Sequence, residues 1–302
     1  NQNEGYDMRA AIVDMHALTT MQDGEQLAQS SLDLAIDYLA IGLDPKKALI
    51  YKQSDMPEDT EMTWAFNCIT TMPFLSLAHS YKDKVARGKE ASVGLFDYPI
   101  LMAADILIHN ADIIPVGKDQ QQHVEMARDI AEKFNRVFCT EKKQPELFKL
   151  PTARILEDMA TVPGIDGQKM SKSYNNHIPL FSTDEEIKKL VMSITTDSGN
   201  AADIEAGKIS GIPENVYNIH KLIRPVTELD ELYAANKGKY KILKEALIAD
   251  LIAFIAPMRA RREEIAKDPE AVKKMIAENG AKVREITAPL MAEFRKRVGF
   301  TL

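Results

Sequence analysis

The chain has 302 residues, enough for one large domain or two, and its 45% hydrophobic and 27% charged residues are those of an ordinary globular protein. A formal net charge of −7 excludes a protein that coats nucleic acid nonspecifically. Two distant cysteines, Cys68 and Cys139, exclude a disulfide framework, and no apolar run or basic-then-apolar leader points to a membrane, so a reducing cytoplasm is the expected location.

Charge is unevenly spread. From Lys237 onward there are 15 Lys+Arg against 9 Asp+Glu, which leaves 23 against 36 in the first 236 residues. A basic C-terminal part on an acidic body suits an anionic partner that touches one region, and a solvated helical face explains it equally well.

Met8 to Asp14 reads as a short buried strand ending in the polar Asp14 and His16. Leu27, Leu34, Ala35, Tyr38 and Ile41 have helical spacing, and that helix should stop at Gly42 ahead of Asp44-Pro45. Ala48 to Tyr51 is a second strand, after which Ser54 or Asp55 is expected to cap a helix through about Cys68. The polar, aperiodic stretch from Tyr81 to Ser92 reads as an exposed loop.

Pro99 is expected to open a helix on which Met102, Asp105, Ile106 and His109 share one face. An aspartate on that apolar face needs a partner, because an unpaired buried carboxylate is costly. It either meets a polar group of a ligand or is satisfied by a neighbouring arginine or the backbone. Ile113 to Val116 is the next strand and Gly117 to Gln120 the turn after it. Asp119 is the expected cap of a helix with Val124, Ala127, Ala131 and Phe134 as its buried stripe. Strand, glycine turn and helix N-terminus form an α/β unit with anion-binding potential. Its repetition to about Val162 predicts a doubly wound parallel sheet. Beyond Asp184 helical periodicity dominates, punctuated at Gly211-Ile212-Pro213, Gly238, Pro257, Pro269, Gly280 and Pro289, which predicts a second, all-helical region.

Lys169-Met170-Ser171-Lys172-Ser173 sits between Gly164-Ile165-Asp166-Gly167-Gln168 and Tyr174-Asn175-Asn176. Two lysines three apart, with two serines, on a segment bracketed by glycine and asparagine read as a loop that offers positive charge to a polyphosphate. A lone Lys-x-x-Lys would by default be a solvated basic loop. His16, His109 and His123 lack the spacing of a metal site, and neither a nucleophile elbow nor a phosphate loop occurs. The chemistry therefore has no evident protein nucleophile and no metal cage.

The Lys169–Ser173 loop matches, letter for letter, the signature of class I aminoacyl-tRNA synthetases. Tyr98-Pro99-x-Leu101-Met102-Ala103-Ala104-Asp105-Ile106-Leu107 resembles the tryptophanyl branch of that family. So does Pro115-Val116-Gly117-Lys118-Asp119-Gln120, followed by His123, Glu125, Arg128-Asp129, Ala131 and Phe134-Asn135. The likeness runs over most of the chain and includes Glu278, Gly280, Ala281 and Lys282.

That resemblance implies an α/β, Rossmann-like doubly wound catalytic domain over residues 1–180 and an all-helical, tRNA anticodon-binding region over 181–302, with the last helix packed back on the catalytic domain. It implies activation of L-tryptophan by ATP with Mg²⁺, transfer to tRNA(Trp), and a homodimer, with no zinc or iron–sulfur cluster. Lys169 and Lys172 are implied as the catalytic charges, and Gly117, Lys118, Asp119, Met170, Ser171, Ser173 and Lys84 as further contacts to ATP. Asp105 is implied as the acceptor of the indole N–H, Met102 as packing on the indole, and Tyr98, Gln120 and His16 as surrounding the amino-acid end. The family's other signature, a His-x-Gly-His-like or Gly-Asn turn, does not occur, and Asn1 to Asp7 resembles the loop ahead of the family's second strand. A strand–turn–helix module of roughly thirty residues is thus expected ahead of this sequence, without which normal ATP binding is not expected. Tyrosyl-tRNA synthetase is the nearest alternative. A truncated, non-catalytic tRNA-binding relative is the alternative of a different class.

Overall fold

The computed structural model describes residues 2–78, 91–155, 162–171, 174–196 and 210–301. Lys84, Lys172, Ser173 and most of the polar stretch from Tyr81 to Ser92 lie outside the described residues. The chain forms two compact units, one of residues 1–156 with 265–302 and one of residues 157–264.

In the first unit, β1 (Met8–Ile12) leads through the short α1 (Asp14–Ala17) and α2 (Gly24–Ala40) to β2 (Ala48–Lys52). The strands are parallel, with Met8 opposite Ala48 and Ile12 opposite Lys52. Asp23 caps α2 by accepting from the Gln26 N–H, and the chain leaves that helix through Gly42 at a φ of +104°, a conformation that glycine adopts without strain. Asp14 ties the two strand ends together. Its Oδ1 accepts from the Ser54 N–H at 2.9 Å and its Oδ2 from the Ser54 hydroxyl at 2.5 Å. Ser54 and Asp55 are therefore spent in a 3₁₀ turn, Gln53–Asp55, and neither caps the next helix, α3 (Glu58–Ile69), which begins after Pro57 without a side-chain cap.

Beyond the brief α4 (Met72–Leu75), α5 spans Val93–Leu107 and is capped by the Ser92 hydroxyl. The helix does not open at Pro99, which lies inside it. A proline there forgoes the bond to the carbonyl of Leu95 and crowds that carbonyl, a local cost, while Ser92 supplies the start signal. The second parallel pair is β3 (Ile113–Pro115) with β4 (Thr152–Arg154), and α6 (Gln121–Phe134) lies between them in sequence. Among the described residues the parallel sheet is thus present as two pairs, and residues of β1 and β3 line one cavity of about 550 Å³.

The core of this unit is aromatic. Phe66 of α3, Phe134 of α6, Phe148 and Phe294 of the C-terminal helix are each essentially inaccessible, with ring centroids 4.9 to 6.3 Å apart. The C-terminal helix, Pro269–Val298, packs on β2, where Asn279 donates to the Ile50 carbonyl at 3.1 Å. Its Arg295 grips Glu61 with two bonds of 2.5 and 2.8 Å. Gly280 and Pro289 do not end it, and Pro257 likewise lies within a helix. Gly280 has a packing reason, since a Cβ there would lie 2.9 Å from Cβ of Asp55.

The second unit holds α7 (Asp184–Met192), α8 (Glu214–His220), α9 (Val226–Ala235) and α10 (Tyr240–Ile265, apart from its last residue). A capping box of Thr183 and Glu186 starts α7. Ile187, Val191, Val216, Leu229, Tyr233, Leu243 and Leu247 belong to a single hydrophobic cluster. The polar groups buried in it are satisfied: His220 meets Asp250 at 2.7 Å, and the Lys244 ammonium donates to the Met192 and Ile194 carbonyls at 2.9 and 2.7 Å.

Two expectations follow for the first unit. Phe294→Ala removes a ring from a closed four-ring cluster and should cost about 3–5 kcal/mol in a denaturant titration. Asp59, on α3 and 2% exposed, has one carboxylate oxygen without a hydrogen-bond partner. Burial, then the charges of Asp105 and Glu58, push its carboxyl up to about 9. Folded Asp59 therefore keeps a proton that the unfolded chain releases near the ordinary carboxylate value. Its contribution is fully present only below that value and is lost as pH rises through the folded one. Asp59→Asn should accordingly raise Tm more at pH 8 than at pH 5.

Candidate functional site

The site in the first unit begins at the ends of the strands. Asp105, on α5, is reached by His16 just after β1 and by Gln53 just after β2. Its Oδ2 lies 2.9 Å from Nε2 of His16 and its Oδ1 accepts from Nε2 of Gln53 at 2.7 Å. Gln53 is 1% exposed, and its Oε1 also accepts from the His16 backbone N–H at 3.3 Å. One carboxamide thus fixes both members of the His16–Asp105 pair. A carboxylate only accepts, so the His16 nitrogen facing it carries the proton. That leaves Nδ1 of His16, a buried atom without a hydrogen-bond partner, available to a ligand.

Tyr98 extends the cluster. Its ring centroid lies 4.2 Å from that of His16 and 5.5 Å from that of His123. Burial raises its hydroxyl pKa, and the charges of Asp105 and Asp119 raise it further. His123 Nδ1 meets Oε1 of Gln120 at 3.0 Å, and Nε2 of Gln120 donates to Asp119 at 3.1 Å. Asp105, His16, Tyr98, Gln120 and Asp119 therefore stand in one continuous run of contacts, joined through His123. Asp119 is not the cap of α6. It lies in the 3₁₀ turn Lys118–Gln120, and the helix starts from Gln120 with no side-chain cap. Gly117 leaves room for the Asp119 carboxylate, which an added Cβ would meet at 2.7 Å. Lys118 is exposed at this turn, and Met102 is half-buried against the main core.

His109, one turn beyond Asp105, serves a different network. Its Nδ1 lies 3.0 Å from the Arg9 guanidinium and its Nε2 2.6 Å from the Tyr51 hydroxyl. A guanidinium has no acceptor, so Nδ1 must accept and Nε2 must donate. Burial and then the Arg9 charge push the His109 pKa down to about 3, so the ring is neutral. Asp105, His109, Tyr51 and Arg9 all line the cavity of about 550 Å³. Sequence reasoning missed Gln53, Arg9 and Tyr51. For Tyr51 and Gln53 the available signal was position, since polar residues at the C-terminal ends of parallel strands face the ligand crevice of such sheets; Arg9, at the start of β1, carries no such signal.

The lysine loop is in the second unit. Pro163 and Lys169 form an antiparallel bridge, and the Met170 N–H donates to the Val162 carbonyl at 2.8 Å. Lys169 is exposed, Met170 and Ser171 are half-buried, and Asn176 behind them is 2% exposed. The loop thus displays a lysine on a backbone that is itself held by hydrogen bonds. Among the described residues no group of three or more His, Cys, Asp or Glu side chains is placed to hold a metal ion, and no helix is long and apolar enough to cross a membrane.

Comparison with known proteins agrees with this arrangement. The family described as tRNA synthetases class I (W and Y) matches residues 1–256. A tryptophan–tRNA ligase of Fusobacterium nucleatum is 42% identical over 300 residues, covering 98% of this chain and 89% of the relative. One from Rhodopirellula baltica is 40% identical, covering 98% and 90%. The crystal structure of tryptophanyl-tRNA synthetase from Campylobacter jejuni, complexed with ADP and tryptophan, superposes with a TM-score of 0.85 at 40% identity, covering 99% of this chain and 91% of that one. With a parallel α/β framework, a polar cluster at its strand ends and the lysine signature loop, this chain belongs to the class I tRNA synthetases of the tryptophan and tyrosine group.

Proposed function

We propose that the chain activates L-tryptophan with ATP and transfers it to tRNA(Trp), and that Asp105 selects the amino acid. The observation that carries this reading is the half-buried carboxylate of Asp105, fixed by His16 and Gln53 at the wall of a cavity. Each carboxylate oxygen has a lone pair beyond the one already used, so Asp105 still accepts an indole N–H. An analogue that cannot donate leaves that acceptor unpaired and is rejected. Met102 packs on the indole. Nδ1 of His16 accepts from the ammonium group, with Tyr98 and Gln120 around the same end of the ligand.

In the first step the tryptophan carboxylate attacks the α-phosphate, an oxygen–phosphorus bond forms, and pyrophosphate leaves. In the second, a ribose hydroxyl of the tRNA terminus attacks the activated carbonyl and AMP leaves. Both displacements need positioning and charge stabilisation rather than a protein nucleophile. Lys169, with Lys172 beside it in sequence, supplies positive charge to the phosphates. Met170, Ser171 and Ser173 of the same loop also contact ATP, as do Gly117, Lys118, Asp119 and Lys84. Mg²⁺ enters with the triphosphate.

In functional terms the catalytic part ends with the lysine loop near residue 180, and the helical remainder, basic from Lys237 onward, receives the tRNA. The cytoplasm suits two unpaired cysteines, Cys68 exposed and Cys139 buried. Trp64, Met72, Leu77 and Val93 are exposed large apolar residues, which suits burial in a homodimer interface. Trp64→Glu with Leu77→Glu should convert the dimer to a monomer in sedimentation equilibrium.

Amino-acid-dependent pyrophosphate exchange on the intact protein tests the reaction. Tryptophan should support faster exchange than tyrosine, and Lys169→Ala should lower the rate by about 10²–10³. Faster exchange with tyrosine, or an unchanged rate in Lys169→Ala, would overturn the reading.

A further inference from the structure

We propose that Asn176 is the positioning residue of the lysine loop, its one carboxamide holding the backbone on both sides of Met170 in the arrangement that presents Lys169 to phosphate. The proposal rests on the functional reading above and deepens it. Nδ2 of Asn176 donates to Oδ1 of Asp166 at 2.8 Å and to the Lys169 carbonyl at 3.1 Å, while its Oδ1 accepts from the Ser171 N–H at 2.7 Å. Three points of the loop therefore converge on a side chain that is 2% exposed. The orientation of the amide is dictated by its partners. Reversed, it would set a donor against the Ser171 N–H and an acceptor against both a carboxylate and a carbonyl.

The surrounding backbone is shaped to this side chain. The Ile165 N–H donates to the Asn176 carbonyl at 2.9 Å, and Gly164 lies so close that a Cβ there would come within 2.4 Å of Nδ2. Asp166 also accepts from the Gln168 N–H at 3.0 Å, and the Asn176 amide is the main cause that holds its carboxyl below the usual range. On the other side Gly167, at a φ of +81°, approaches Asn215, where a Cβ would meet the amide at 2.7 Å. Asn215 donates to the carbonyl and hydroxyl of Thr195, whose N–H donates to the Ile165 carbonyl at 2.9 Å. The backbone from Gly164 to Ser171 is held by these bonds, so less binding energy is spent on positioning Lys169.

The test is a reciprocal exchange of side chains, read by tryptophan-dependent pyrophosphate exchange on the intact protein. The rate is referred to the folded fraction from circular dichroism. Asn176→Asp keeps the size of the side chain but sets two carboxylates against each other and loses the donor to Lys169. It should lower kcat about a hundredfold while KM for tryptophan stays near the wild-type value. Asn176→Asp combined with Asp166→Asn restores a donor–acceptor pair between the two positions and should recover about tenfold of that loss. Because the rate is referred to the folded fraction, a general loss of stability is separated from a loss of positioning, which lowers kcat in the folded protein. The proposal is overturned if Asn176→Asp keeps the wild-type kcat, or if the double variant is no better than the single one. Absence of tryptophan-dependent exchange in the wild type would instead remove the functional reading, and this proposal with it.

Discussion

A half-buried carboxylate organises the first unit. Asp105 sits on a largely apolar helix, where a charge without partners would be strongly destabilising. It is tolerated because His16 and Gln53, from the ends of two parallel strands, meet one oxygen each. Those strand ends are in turn fastened by Asp14 to Ser54. The position of the helix, the register of the strands and the geometry of the candidate amino-acid site are thus consequences of one requirement for satisfied polar groups. The neighbouring Arg9–His109–Tyr51 array solves a related problem with a neutral imidazole, and Asp59 solves it with a retained proton.

The second unit works by a different logic. Its helices are held by one hydrophobic cluster, and the polar groups inside it are spent on local closures: Lys244 on the carbonyls that end α7, His220 on Asp250. The lysine loop draws on the same device at higher density. Asn176 and Asn215 satisfy backbone groups that no strand or helix would satisfy, which allows an irregular segment to hold one shape. An exposed lysine on such a segment has its charge open to solvent and fixed geometry at its base, a suitable combination for an anion whose charge distribution changes during a reaction.

Much of this was legible in the sequence because it depends on local order. β1 and β2, the stripe of α6 and the polar turn at Gly117 follow from periodicity and from glycine and proline chemistry. The failures were also local. Pro99 was expected to open a helix and instead lies inside one that Ser92 starts; Pro257, Gly280 and Pro289 were expected to punctuate the helical region and lie within its helices, where packing and close approach outweigh a cost of about 1 kcal/mol for glycine and about 3 kcal/mol for proline. Ser54 was expected to cap α3, but Asp14 competes for it across 40 positions of sequence.

The sequence by itself determined the family, through the Lys169–Ser173 loop and the motifs around Asp105 and Gly117, since these residue types at this spacing form a specific pattern. It also indicated that Asp105 needs compensation, because an unpaired carboxylate on an apolar face is costly. Only the tertiary structure decided which partners those are. Gln53 and His16 stand 52 and 89 positions away from Asp105, and no local pattern links them. The same holds for the role of Asn176. In the sequence it is one more polar residue after the loop, and only folding shows that two backbone groups, of Lys169 and Ser171, and the Asp166 carboxylate converge on its amide.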